Sequence, residues 1–158
     1  MTDMRRQVRD NLVAITSLFV ALSALGYNTW RNERTERNRN VRVAGIEMLQ
    51  EIGSLQQVVS YAYFTEPGEG GERDARGDPR MGWVDVYTIG DLAAMMPPEV
   101  QRDAARLRAV WEADAAALIV DDEPDAAAQA ESDEAYRRID GAIERLRQTT
   151  LSALRALK

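Results

Sequence analysis

The chain is 158 residues long, 45% apolar and 29% charged, enough for one packed domain and too little for two full ones. It has no Cys and no His, which excludes disulfides, thiolate metal sites and cysteine nucleophiles and removes the commonest general base and transition-metal ligand. The net charge of −6 is unevenly divided: residues 1–42 carry eight Arg against four acids, whereas residues 43–158 carry twelve Lys and Arg against twenty-two acids. The larger part therefore repels nucleic acid, and the basic part brackets an uncharged run.

Residues 1–10 read as a short basic leader containing Arg5, Arg6 and Arg9. Residues 11–30, NLVAITSLFVALSALGYNTW, hold no charge, and as a helix they are about 30 Å long, the hydrocarbon thickness of a bilayer. A helix without a polar face must be buried somewhere. Leu12, Val13, Ile15, Leu18, Phe19, Val20, Leu22 and Leu25 each favour insertion by roughly 0.3–0.6 kcal/mol, and Thr16, Ser17 and Ser23 can return their hydroxyls to the helix backbone. Tyr27 and Trp30, then Arg31 and Arg34, follow at the far edge, as residues of the membrane interface do. This reading is a transmembrane helix. A cleaved signal peptide competes with it, since Ala21-Leu22-Ser23 is a passable small-x-small site. Ala14, Ser17, Ala21 and Ala24 recur at spacings of three and four, a candidate seam for association with a second membrane helix.

Residues 31–42 form a polar stalk in which Glu33 and Arg37, and Glu36 and Arg39, are spaced for helical ion pairs. Asn32, Asn38 and Asn40 lower its helix propensity, so rod and hinge both remain open. Counting three Arg and the α-amine before residues 11–30 against five Arg after them favours a cytoplasmic body by a single charge.

From residue 43 to 158 the pattern is helical and no segment alternates like a strand. Val41, Gly45, Met48, Ile52, Leu55, Val59 and Ala62 form one stripe, widened by Leu49 and Tyr63. Residues 65–80, rich in Gly, Pro and charge, read as a mobile loop. Its Gly-rich piece and its Arg76-Gly77-Asp78 tripeptide carry no weight as sites. Residues 81–96 resume a helix with Trp83, Val86, Gly90 and Ala93 on one face and Ile89, Leu92 and Met96 beside them, stopped by Pro97-Pro98. Pro98 opens the next helix, whose stripe Val100, Ala104, Leu107, Trp111, Ala115 and Leu118 runs to about Val120. The acids from Asp121 to Asp125 suit the start of a last helix with Ala135, Ile139, Ala142, Ile143, Leu146, Thr150, Ala153 and Leu157 on its inner side.

The expected fold is all-α: an N-terminal transmembrane helix followed by an antiparallel helical bundle of three to four helices. If the last helix returns along the whole first one, Leu151, Leu154 and Leu157 lie beside the polar stalk and need cover from a second copy, a partner or the membrane surface.

No catalytic, cofactor-binding or metal site is expected. Glu47 and Glu51 share a face but lack the histidines of a bundle metal site, and Trp83 and Trp111 read as core anchors. The strong excess of Arg over Lys points to a GC-rich bacterial genome. The uncharged run, YNTWRNERTERNRNVR and the AGIEMLQEIGSLQ that follows together resemble short single-pass membrane proteins of Gram-negative bacteria to which no activity is assigned; the resemblance covers the first third of the chain and implies location alone. The expectation is a non-enzymatic, inner-membrane interaction protein whose partners are the lipid bilayer and either a second copy or a membrane protein, with no nucleic acid. The alternatives are a membrane-anchored ligand-sensing bundle, with its cleft near Trp83 and Trp111, and a soluble helical protein exported after signal cleavage.

Overall fold

The computed structural model describes residues 2–65, 78–120 and 125–157, with side chains from residue 11 onward. Among these residues the fold is all-α: α1 (Thr2–Phe64), α2 (Pro79–Ala93), α3 (Pro98–Asp114), a 3-10 turn (Ala115–Leu118) and α4 (Ala126–Ala156). The chain divides into two compact units, residues 1–39 and 40–158. The mobile loop expected at 65–80 falls mostly outside the described residues, as do Asp121 to Pro124.

In the first unit, residues 11–30 are helical throughout and the eight apolar side chains from Leu12 to Leu25 are 55–71% exposed. Thr16 Oγ1 donates to the Leu12 carbonyl at 2.7 Å and Thr29 Oγ1 to that of Leu25 at 3.0 Å, so these hydroxyls are satisfied by their own helix. Ser17 and Ser23 make no such bond. The stalk residues are helical, since extending an existing helix costs far less than nucleating one. Neither Glu33–Arg37 nor Glu36–Arg39 closes to ion-pair distance; holding two long side chains in one geometry in water costs about as much as it gains.

The second unit is built around a core drawn from all four helices, with Met48, Ile52, Leu55, Ile89, Leu107, Trp111, Ile139, Ile143 and Leu146 at or near complete burial. Caps and prolines set the helix boundaries. Asp78 accepts from Arg80 N at 2.9 Å and precedes Pro79 at the first position of α2, so the helix starts two residues before the apolar pattern does. Pro97-Pro98 ends the α2 path, and the chain leaves it through short-range bonds such as Met96 N to Ala93 O at 2.9 Å. α3 stops at Asp114, and the path expected to stay α-helical to Val120 tightens into the 3-10 turn. Asp125 accepts from Ala127 N at 3.0 Å and Ala128 N at 2.8 Å and starts α4.

Cross-helix contacts fix the register. Gly45 meets Leu154, Met48 accepts from Thr150 Oγ1 at 3.3 Å, Gln56 donates to Asp140 at 3.1 Å and Tyr63 donates to Asp133 at 2.8 Å. Residue numbers fall along α4 as they rise along α1, so these segments run in opposite senses; α3 and α4 do likewise, through Thr149–Asp103 (2.6 Å) and Arg138–Asp114 (2.8 Å). Tyr63 stacks on Tyr136 at 4.3 Å. Leu154 lies beyond the stalk. Leu154 sits on Gly45, Leu157 packs against the core, and Leu151 is half-buried, so the chain itself supplies much of their cover.

The face of α2 is rotated from the expected one. Gly90 is exposed and Trp83 only half-buried, while Gly82 and Asp85 are buried. A Cβ at Gly82 would collide with Trp111 Cζ2 and lie 2.6 Å from Cη2 and 3.1 Å from Leu55 Cδ1, whereas one at Gly90 would meet nothing within 4 Å. The fully buried indole selects the glycine it can approach. Gly82→Ala is expected to destabilise by about 1–3 kcal/mol through overpacking, and Gly90→Ala to stabilise by about 0.5–1 kcal/mol through helix propensity. Urea denaturation of both variants reads the difference in sign.

Candidate functional site

The first feature is the uncharged face of α1. By length and composition it contains one stretch able to cross a membrane, and none of that window is buried. A signal sequence near an N-terminus meets the same criteria, and so does the core helix of a soluble protein, although a core helix is mostly buried. All eight residues singled out beforehand are exposed: Tyr27, Trp30, Arg31 and Arg34 at the far edge, and Ala14, Ser17, Ala21 and Ala24 along the helix. The rings of Tyr27 and Trp30 lie 6.2 Å apart and the Arg34 guanidinium is 5.7 Å from the Trp30 centroid. That contact gathers an aromatic ring and a cation into one amphipathic edge, the pairing favoured where apolar and aqueous media meet.

In the second unit, the two tryptophans that a ligand-sensing reading would place at one cleft have different surroundings. Trp111 is fully buried against Gly82, and its indole N–H has no acceptor among the described residues. Trp83 stacks on Tyr87 instead, with centroids 5.4 Å apart. An open groove of about 350 Å³ lies between α2 and α3, where Arg108 covers the Tyr87 ring at 5.1 Å over a floor of small residues including Gly90 and Ala105. A second groove, between α3 and α4, is lined by arginines.

Glu51 is not the solvated charge its spacing suggested. It is half-buried and faces Asp85, which is only 8% exposed and is also hydrogen-bonded by Ser54. Burial is the main cause that raises the Asp85 pKa, the Ser54 hydrogen bond opposes it, and Glu51 adds to the rise through its charge and a hydrogen bond. Sequence periodicity centred α2 on Trp83, so this carboxyl pair was missed; the signal that could have found it is the Gly82, Val86, Ile89, Ala93 stripe, which carries Asp85 on its flank. Among the described residues no group of three or more acids could hold a metal, and Glu47, the other member of the expected pair, is exposed.

The remaining polar contacts tie helices together. Asp114 takes two guanidinium bonds from Arg138, at 2.8 and 2.9 Å, and this pairing is the main cause that raises the Arg138 pKa further. Asp133 accepts from Gln129 and from Tyr63, which lowers its own pKa, and the bond to Asp133 raises that of Tyr63.

No protein-family model, curated protein or solved structure matches this chain. The reading of its role therefore rests on the chemistry of these surfaces.

A carboxyl whose pKa is raised by folding stabilises the fold when protonated, and loses that contribution as pH climbs from the ordinary value of 3.8 through the higher folded one. Asp85→Asn is accordingly expected to raise the melting temperature at pH 7 and to lose most of that advantage below pH values near 3.8. Thermal melts of the wild type and the variant across this range, monitored by circular dichroism, measure it.

Proposed function

We propose that this chain is a non-enzymatic, single-pass protein of a bacterial inner membrane, anchored by residues 11–30. On this reading residues 43–158 form an antiparallel helical bundle that makes protein contacts, either as an oligomer or as an accessory subunit of a membrane complex. The observation that carries it is the exposure of all eight large aliphatic and aromatic side chains between Leu12 and Leu25, each at least 55% accessible, in a run without one charge. Water is a poor solvent for such a face, and a bilayer satisfies it around the full circumference. The Tyr27, Trp30 and Arg34 edge supports the same placement. The protein-contact role follows from the composition, which lacks the residue types of most catalytic centres.

Insertion is favourable by only a few kcal/mol summed over these side chains, and one Arg at the centre of a membrane helix costs about 2.5–3.5 kcal/mol. The wild type is expected in the high-speed pellet after cell lysis and to resist alkaline carbonate, while Leu18→Arg shifts into the supernatant. Mass spectrometry of the mature protein is expected to find residues 11–23 intact. A wild type that stays in the supernatant, or one that begins after Ser23, defeats the anchor and favours export. Gentle solubilisation followed by identification of copurifying chains separates oligomer from accessory subunit, and loss of a crosslinked dimer in Ala21→Leu would assign the contact to the small-residue seam.

A further inference from the structure

We propose that the groove between α3 and α4 binds a phosphate-bearing polyanion, gripped by Arg106, Arg137 and Arg145. The cavity is about 340 Å³, within the range of small-ligand sites. Four of its lining side chains are arginines, the three named and Arg138, and no acid lines it. This concentration sits in a stretch, residues 43–158, whose charge is −10. The four side chains are solvent-exposed, so water and salt screen part of their mutual repulsion, and a bound anion would relieve the rest.

Among the described residues only one of the four makes an ion pair. Arg138 is spent on the bidentate bonds to Asp114 and on a pair with Glu134, which fixes it as a wall of the groove. Arg137 donates its Nε to the Asp133 carbonyl at 3.0 Å and its charge acts on the Asp133 carboxylate, while its two terminal nitrogens make no hydrogen bond among the described residues. Arg106 and Arg145 make no side-chain hydrogen bond or ion pair among the described residues. Guanidinium forks match phosphate oxygens geometrically, and a phosphomonoester brings about −1.5 to −2 charges and three strong acceptor oxygens. A lone carboxylate offers two oxygens and one charge, too little for three forks.

Gly141 forms part of the floor. Gly141 lies mid-helix between Arg137 and Arg145, each one turn away, and a Cβ there would touch nothing within 4 Å. No neighbour requires a glycine at this position, and alanine is the better helix former. A larger side chain there would project into the groove that Gly141 lines. The same chemistry is offered by soluble phosphate compounds and by anionic lipid headgroups. The inference concerns the second unit alone and stands apart from the membrane placement.

The full chain in a nonionic detergent, titrated calorimetrically with inorganic tripolyphosphate at low ionic strength, is expected to bind saturably. Arg106→Gln combined with Arg145→Gln is expected to weaken binding about tenfold or more, whereas Arg102→Gln with Arg155→Gln, the same charge change outside the groove, stays within about twofold. Gly141→Leu leaves the charge untouched, points into open space and is expected to weaken binding about tenfold by filling the groove. Circular dichroism confirms that each variant is folded. Absence of saturable binding, or equal losses in the two double variants, overturns the proposal. Competition then identifies the source: displacement by short-chain phosphatidylglycerol but not phosphatidylcholine assigns a headgroup, displacement by neither assigns a soluble phosphate, and equal displacement by both overturns a charge-selected site.

Discussion

The packing of the second unit depends on the close approach of Trp111 to the backbone of α2 at Gly82. An indole is the largest side chain this core must enclose, and it is enclosed completely. Leu55 from α1 meets the same point, so three helices are positioned by one contact in which the decisive feature is a missing methyl. Core density leaves no slack for a methyl there. The rotation of α2 follows from it: once Gly82 lies under the ring, Val86, Ile89 and Ala93 turn inward, Gly90 turns to solvent and Asp85 is carried into the margin of the core.

That rotation has an electrostatic consequence. Asp85 is carried out of water, and this burial, reinforced by the neighbouring Glu51 carboxyl, raises its pKa on folding. Elsewhere the unit's acids are used differently. Asp78 and Asp125 cap helices, Asp114 pins Arg138, and Asp133 accepts from Tyr63. An acidic chain thus uses several of its carboxylates for local structure, and Arg106 and Arg145 at the α3/α4 groove are among the arginines that pair with none of them.

The first unit has a different surface. Its helix returns the hydroxyls of Thr16 and Thr29 to its own backbone, as Thr35 and, in α2, Thr88 also do, and its apolar side chains from Leu12 to Leu25 are exposed. The second unit hides its apolar residues and exposes its charges. Both patterns occur in one chain, and the change from one to the other coincides with the run of Arg, Asn and Glu from Arg31 to Arg42.

Much of this was legible in residue order. Spacing alone determined the all-α class, the starts of α3 and α4, and the inner faces of both: Val100 through Leu118 and Ala135 through Ala153 are all buried as their period requires. The uncharged run was equally plain, since length and the absence of charge are one-dimensional properties. The tertiary structure decided what periodicity cannot carry. The face of α2 turned on whether position 82 could admit an indole, the cover over Leu154 turned on the register that sets it on Gly45, and the Glu51–Asp85 pair and the arginine groove each join residues far apart in the chain. A helical period states which residues share a side of one helix; which side meets which neighbour is set by the volumes that must fit between them.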